Sequence, residues 1–75
     1  MEKVSFEYDS VGDILHIQNV EPYEEQEIEE LDDWVVARYN PKTRALEGLE
    51  ILFFTRRLNQ DKVFELPIDA FKMAV

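Results

Sequence analysis

The chain has 75 residues, a formal net charge of −9, 45% hydrophobic residues, one histidine and no cysteine. A chain of this size forms a single domain, 1–75, and buries only about 60% of its unfolded surface. Without cysteine it has no disulfides or thiolate metal sites, and one histidine is too few for a histidine-based zinc site. Dense packing or a second copy must supply the stability, and no cofactor or metal is expected.

Val4, Phe6 and Tyr8 alternate with Ser5 and Glu7, the period of a half-buried strand. Leu15 and Ile17 continue the pattern, with Ile14, His16 and Gln18 on the other face. The intervening "DSVG" suits a type I turn, with Asp9 first and Gly12 free to adopt the left-handed conformation. The first hairpin is therefore expected here.

"EPYEEQEIEELDD" follows, with eight acids in thirteen residues and no base. Its glutamates favour a helix, but the apolar stripe is thin and acids four apart would repel. An edge strand over roughly 24–30 is expected instead, since charge on an edge discourages stray pairing. "WVVARY" is β-branched and aromatic and reads as a strand, and "NPKT" reads as a second type I turn. In "ALEGLEILFF", Leu46 has the opposite parity to Leu49 and Ile51, which predicts a bulge near Glu47–Gly48. Both faces of its end are apolar, which places this strand at the centre of the sheet. "TRRLNQDK" fits a short helical turn or a loop, "VFEL" a brief strand, and Pro67 the first turn of a short terminal helix.

The expected fold is α+β and mainly β: a small antiparallel sheet of four to five strands built from two hairpins, with two short C-terminal helical segments. "FEYDSVGDILHI" and "ARYNPKTRALEG", 31 residues apart, echo each other as strand, Tyr, Asx, turn, strand. The second copy keeps the turn-forming Asx but carries Arg44 where the first has Asp13. It makes the turn without two carboxylates, which argues that Asp9 and Asp13 serve the turn and not a reaction.

"YDSVGDILHI", the acidic stretch, "WVVARYN" and "LEGLEIL" together resemble the YuzE-like family of small bacterial proteins, a domain of unknown function. Tyr8, Asp9, Asp13, Leu15 and Ile17 match its first motif, with His16 where the family often has Tyr. Gly48, Leu49, Glu50, Ile51 and Leu52 match its second. The resemblance spans about residues 4–58. It implies a small β-rich domain, no established activity, and, by analogy with some members, a partner that is a small toxin-like protein.

Residues 1–37 carry a net charge of −11 and residues 38–75 a net charge of +2. Such an acidic half repels phosphate backbones, so direct nucleic-acid binding is disfavoured and a basic protein partner is favoured. No apolar run is long enough to span a membrane and the N-terminus lacks a signal-peptide pattern, so a soluble, cytoplasmic protein is expected. Glu24, Glu25, Glu27, Glu29 and Glu30 are the candidate partner-binding residues. Their bland alternative is a solvated strand face. Glu50, inside an apolar run, is a candidate pocket or interface residue; the alternative is an outward position paired with Arg56 or Arg57. The leading functional expectation is a non-catalytic interaction module, also a homodimer. The alternative is a metal-dependent hydrolase using Asp9, Asp13, His16 and Glu50, although Asp13 and His16 differ in strand parity.

Overall fold

The computed structural model describes residues 3–61 and 65–66. Five strands precede one helix: β1 (Ser5–Asp9), β2 (Ile14–Gln18), β3 (Glu27–Asp32), β4 (Val35–Tyr39), β5 (Leu46–Leu52) and α1 (Phe54–Asp61). They form one antiparallel sheet in the order β1-β2-β5-β4-β3. As expected, β5 is central and β3 lies at an edge. There are three hairpins rather than two, because Asp33 and Trp34 join β3 directly to β4. One helix is found among the described residues. The second helical segment, from Pro67, lies outside them, as does most of "VFEL", whose Glu65 and Leu66 have no regular structure. No helix among the described residues is long and apolar enough to cross a membrane.

Directly paired residues share a face of the sheet. One face carries the row Phe6, Ile17, Leu49, Ala37 and the row Tyr8, Leu15, Ile51, Val35. Val35, Ala37, Leu46 and Leu49 form the buried cluster, with Ile17, Leu31, Tyr39 and Leu66 packed against it. The other face carries Glu7, His16, Glu50, Val36 and Glu30 in one row, and Ser5, Gln18, Gly48, Arg38 and Ile28 in the next. The β4–β5 register slips between Arg38 and Tyr39, leaving Glu47 without a ladder partner. This is the bulge that the parity of Leu46 predicts.

The two echoed turns have the same construction. Asp9 Oδ1 accepts from the N–H groups of Val11 and Gly12, at 3.0 and 3.2 Å. Asn40 Oδ1 accepts from Lys42 and Thr43, at 2.8 and 3.0 Å. In each, the fourth residue after the Asx is left-handed: Asp13 at φ 56° and Arg44 at φ 64°. The left-handed residue is thus Asp13 and not Gly12, which has negative φ. The loop needs its positive φ at the position that turns the chain back into the strand, one residue beyond the glycine.

Asp13 also organises α1. The residue before the helix, Phe53, has a positive φ of 55° and no side-chain oxygen with which to cap it. Asp13 does this from the other end of the chain. Its Oδ1 accepts from Thr55 N at 3.0 Å and Thr55 Oγ1 at 2.8 Å, its Oδ2 from Arg56 N at 3.4 Å, and its backbone carbonyl from Phe54 N at 3.0 Å. Tyr8 OH donates to the same carboxylate at 2.6 Å. The Tyr8 and Thr55 hydrogen bonds hold the Asp13 pKa down to about 2, while the Asp13 carboxylate raises that of Tyr8.

The sign of the linkage follows from these directions. A depressed carboxylate pKa contributes stability above its unfolded value, near 3.8, that is lost as pH falls toward about 2. Asp13→Asn is expected to remove this component. Urea midpoints measured from pH 5 down to pH 2 should then fall less steeply for the variant than for the wild type. Parallel slopes would mean that the Asp13 carboxylate is not held in its charged form. The raised Tyr8 pKa has the opposite sense: its contribution is present below pH 10 and is lost as pH rises through the folded value.

Candidate functional site

The polar chemistry gathers on the second face, around an arginine that strand periodicity places inside an apolar run. Arg38 on β4 is 2% exposed. Its neighbour across the ladder is Gly48, and a Cβ there would lie 2.2 Å from Arg38 Nη2 and 2.6 Å from Cζ. The glycine is required because the guanidinium lies over its backbone. Nη2 donates to Gln18 Oε1 at 2.7 Å and Nη1 to Gln26 Oε1 at 2.9 Å. Nε faces Glu50 Oε2 at 3.4 Å. Two neutral amides and one carboxylate thus surround a buried cation, which is costly to bury unless paired and hydrogen-bonded.

Gln26 reaches this position because the sheet order requires a crossover. The chain leaves β2 and must pass β5 and β4 to begin β3 at the far edge. The segment is pinned to the bulge, where Glu47 O accepts from Asn19 N and Val20 N at 3.1 and 3.3 Å. The Glu47 carboxylate binds the same segment. Its Oε1 accepts from Tyr23 OH at 2.6 Å and Gln26 Nε2 at 3.1 Å, and its Oε2 from Asn40 Nδ2 at 3.3 Å. Burial disfavours its charge, but these hydrogen bonds and the Arg38 charge outweigh that and lower its pKa. The hydrogen bond to Glu47 pushes the Tyr23 pKa up to about 12. The bulge therefore releases Glu47 from the ladder so that it can bind the crossover.

Glu50 is half-buried, its side chain 28% exposed, and its partner is Arg38 rather than Arg56 or Arg57. The latter two sit on α1. Arg56 stacks over the Phe53 ring at 5.2 Å, and Arg57 Nη1 donates to Asp33 O at 3.0 Å. Glu50 pairs with His16 across the ladder, and His16 with Glu7 on its other side. Glu7, His16, Gln18, Glu21 and Pro22 line an open depression of about 270 Å³. The hydrolase set is therefore divided. His16 and Glu50 are neighbours, whereas the Asp9 carboxylate faces its own loop and that of Asp13 faces α1 and Tyr8. Among the described residues, no three of the histidine and carboxylate side chains are placed to hold a metal ion.

The five candidate glutamates do not share one face. Glu24 and Glu25 lie in the turn before β3, all five are exposed, and Glu30 points to the face opposite Glu27 and Glu29. Arg44, reaching across from the β4–β5 turn, pairs with Glu27 and contacts Glu29 at 3.6 Å. Sequence reasoning missed Arg38, Gln18, Gln26 and Glu47. The available signal was the pairing of a lone arginine in one apolar strand with a lone glycine in the next. No family model, curated protein or solved structure matches the chain.

Proposed function

We propose that the protein is a non-catalytic interaction module whose acidic edge docks on a basic protein partner. The observation that carries this reading is the edge strand β3. It presents Glu27, Glu29, Glu30 and Asp32 with no base, and Ile28 is 70% exposed between them. Among the described residues, one side of this strand has no neighbour in the sheet, and an extended segment can add to such an edge through main-chain hydrogen bonds. Arg44, seated against Glu27 and Glu29, is an intramolecular example of the contact that a basic partner would repeat. The likeness of the two motifs to the YuzE-like family adds a small toxin-like protein as the partner class. The Asp9, Asp13, His16 and Glu50 set gives the hydrolase reading no comparable support, since two of its members face structural partners.

Trp34, the chain's one tryptophan, adjoins β3 and is half-exposed, so its fluorescence serves as a reporter. Titration with a peptide alternating lysine and valine should give saturable binding at low salt that weakens as salt is raised. Glu29→Lys with Glu30→Lys should weaken it about tenfold, or about 1.4 kcal/mol. Equal binding by this variant, or none by the wild type at low salt, would remove the acidic edge as the docking surface. We also propose that the protein is a homodimer, in keeping with its small size, its lack of disulfides and the apolar residues on both faces of residues 49–54.

A further inference from the structure

The sheet has two edges, and their charge patterns differ in kind. Every charged residue of edge β3 is an acid, so a second β3 would meet it with like charges. Edge β1 and the two residues before it read Lys3, Val4, Ser5, Phe6, Glu7, Tyr8, Asp9. Every residue of β1 is exposed, and Phe6 is 69% exposed although it points to the face that holds the core.

We infer that β1 is the edge through which two copies of this chain join, antiparallel about a twofold axis at Phe6, in one continuous sheet. This deepens the homodimer reading above and rests on it. With Phe6 opposite its own copy, Val4 falls opposite Tyr8, Ser5 opposite Glu7 and Lys3 opposite Asp9. Each of these pairs occurs twice by symmetry. Apolar residues meet on the core side, and on the other side a hydroxyl meets a carboxylate and a lysine meets an aspartate, as favourable cross-strand pairing requires. The neighbouring register with the same faces, centred on Glu7, sets Glu7 against Glu7. The one centred on Tyr8 sets Glu7 against Asp9. Charge thus disfavours these two registers. The one centred on Ser5, which sets Lys3 against Glu7, pairs only residues 3–7, so the Phe6 register is the one that joins the most of the edge without like charges. The pairing also extends the rows of Ile17 and Leu15 through Phe6 and Tyr8 into the second copy, covering aromatic surface that one copy leaves in water.

The chain has no cysteine, so single introduced thiols report the register directly. Residues opposite each other in an antiparallel ladder have Cα atoms about 4.5–5.5 Å apart, within disulfide reach. Under mild oxidation Phe6→Cys should cross-link to a dimer, whereas Ser5→Cys and Glu7→Cys, at positions that are also exposed, should link poorly alone and well when mixed. Light scattering at tens of micromolar should give twice the chain mass for the wild type and the chain mass for Phe6→Glu. Lys3→Glu should weaken the dimer about tenfold at low salt, and raised salt should erase the difference. A dimer in which Ser5→Cys or Glu7→Cys links by itself overturns the Phe6 register, and one in which no β1 thiol links overturns the edge; both leave the homodimer reading intact. A wild-type monomer overturns both. Neither result bears on peptide binding at β3.

Discussion

Replacing Arg38 by alanine is expected to lower the free energy of unfolding by about 3 kcal/mol, from a total of roughly 4–11 kcal/mol for a chain of this length. The loss has three parts. Gln18 Oε1 and Gln26 Oε1 each lose a charge-assisted donor, Glu50 loses its counter-charge, and a volume filled by a buried guanidinium is emptied. Because Glu50 keeps some contact with water, the cost lies at the lower end of the range for breaking a buried pair. Urea denaturation should show a lower midpoint at unchanged slope. Lysine should not restore the wild-type value, because a point charge on a flexible stem cannot reach both amides as a planar fork does.

The same site yields a sharper test through non-additivity. Gly48→Ala in the wild type drives a Cβ into the Arg38 guanidinium, which is held at both ends, and overpacking of this kind costs about 1–3 kcal/mol. In the Arg38→Ala background the obstacle is gone, and Gly48→Ala should cost almost nothing. The two changes are therefore expected to couple by at least about 1 kcal/mol, as for residues in direct contact. Simple additivity would mean that the glycine serves its own backbone and not the arginine.

Features set by local chemistry were legible in the sequence. Alternation located the strands, the shifted parity of Leu46 located the bulge, and like charges argued for β3 as an edge. The left-handed position was misplaced on Gly12 because glycine is the usual candidate, although the echoed turn carried the correction. Thr43 stands where Gly12 does, and a β-branched residue does not adopt positive φ readily, so the strained position had to be the next one. The partner of Glu50 was illegible for another reason. Arg38 meets it only because β4 pairs with β5 in a register shifted by the bulge, and Gln26 meets Arg38 only because the crossover passes two strands. Such contacts depend on sheet order, and no period or spacing along the chain encodes it. The Asp13 carboxylate met Thr55 for the same reason: a turn and a helix start came together through the β2–β5 pairing.

Leu49→Ala is expected to have an effect as large, about 3 kcal/mol within the 2–5 kcal/mol span for buried leucines. Leu49 is 2% exposed at the middle of the central strand, between Ile17 on one side and Ala37 on the other. Ala37 is too small to spread into the vacated space, and the backbone on both sides is fixed by ladder pairing. The cavity therefore stays largely open, which places the cost above simple loss of transfer free energy. For a domain of this size each kcal/mol lowers Tm by about 4–8 °C, so a fall of roughly 12–24 °C should appear in a thermal scan. Leu49→Met, which nearly conserves volume, should cost less than about 1.5 kcal/mol. The contrast between these two substitutions separates packing from hydrophobicity. Both keep the site apolar, so an equally small effect from each would mean that the sheet's buried face is not close-packed at its centre.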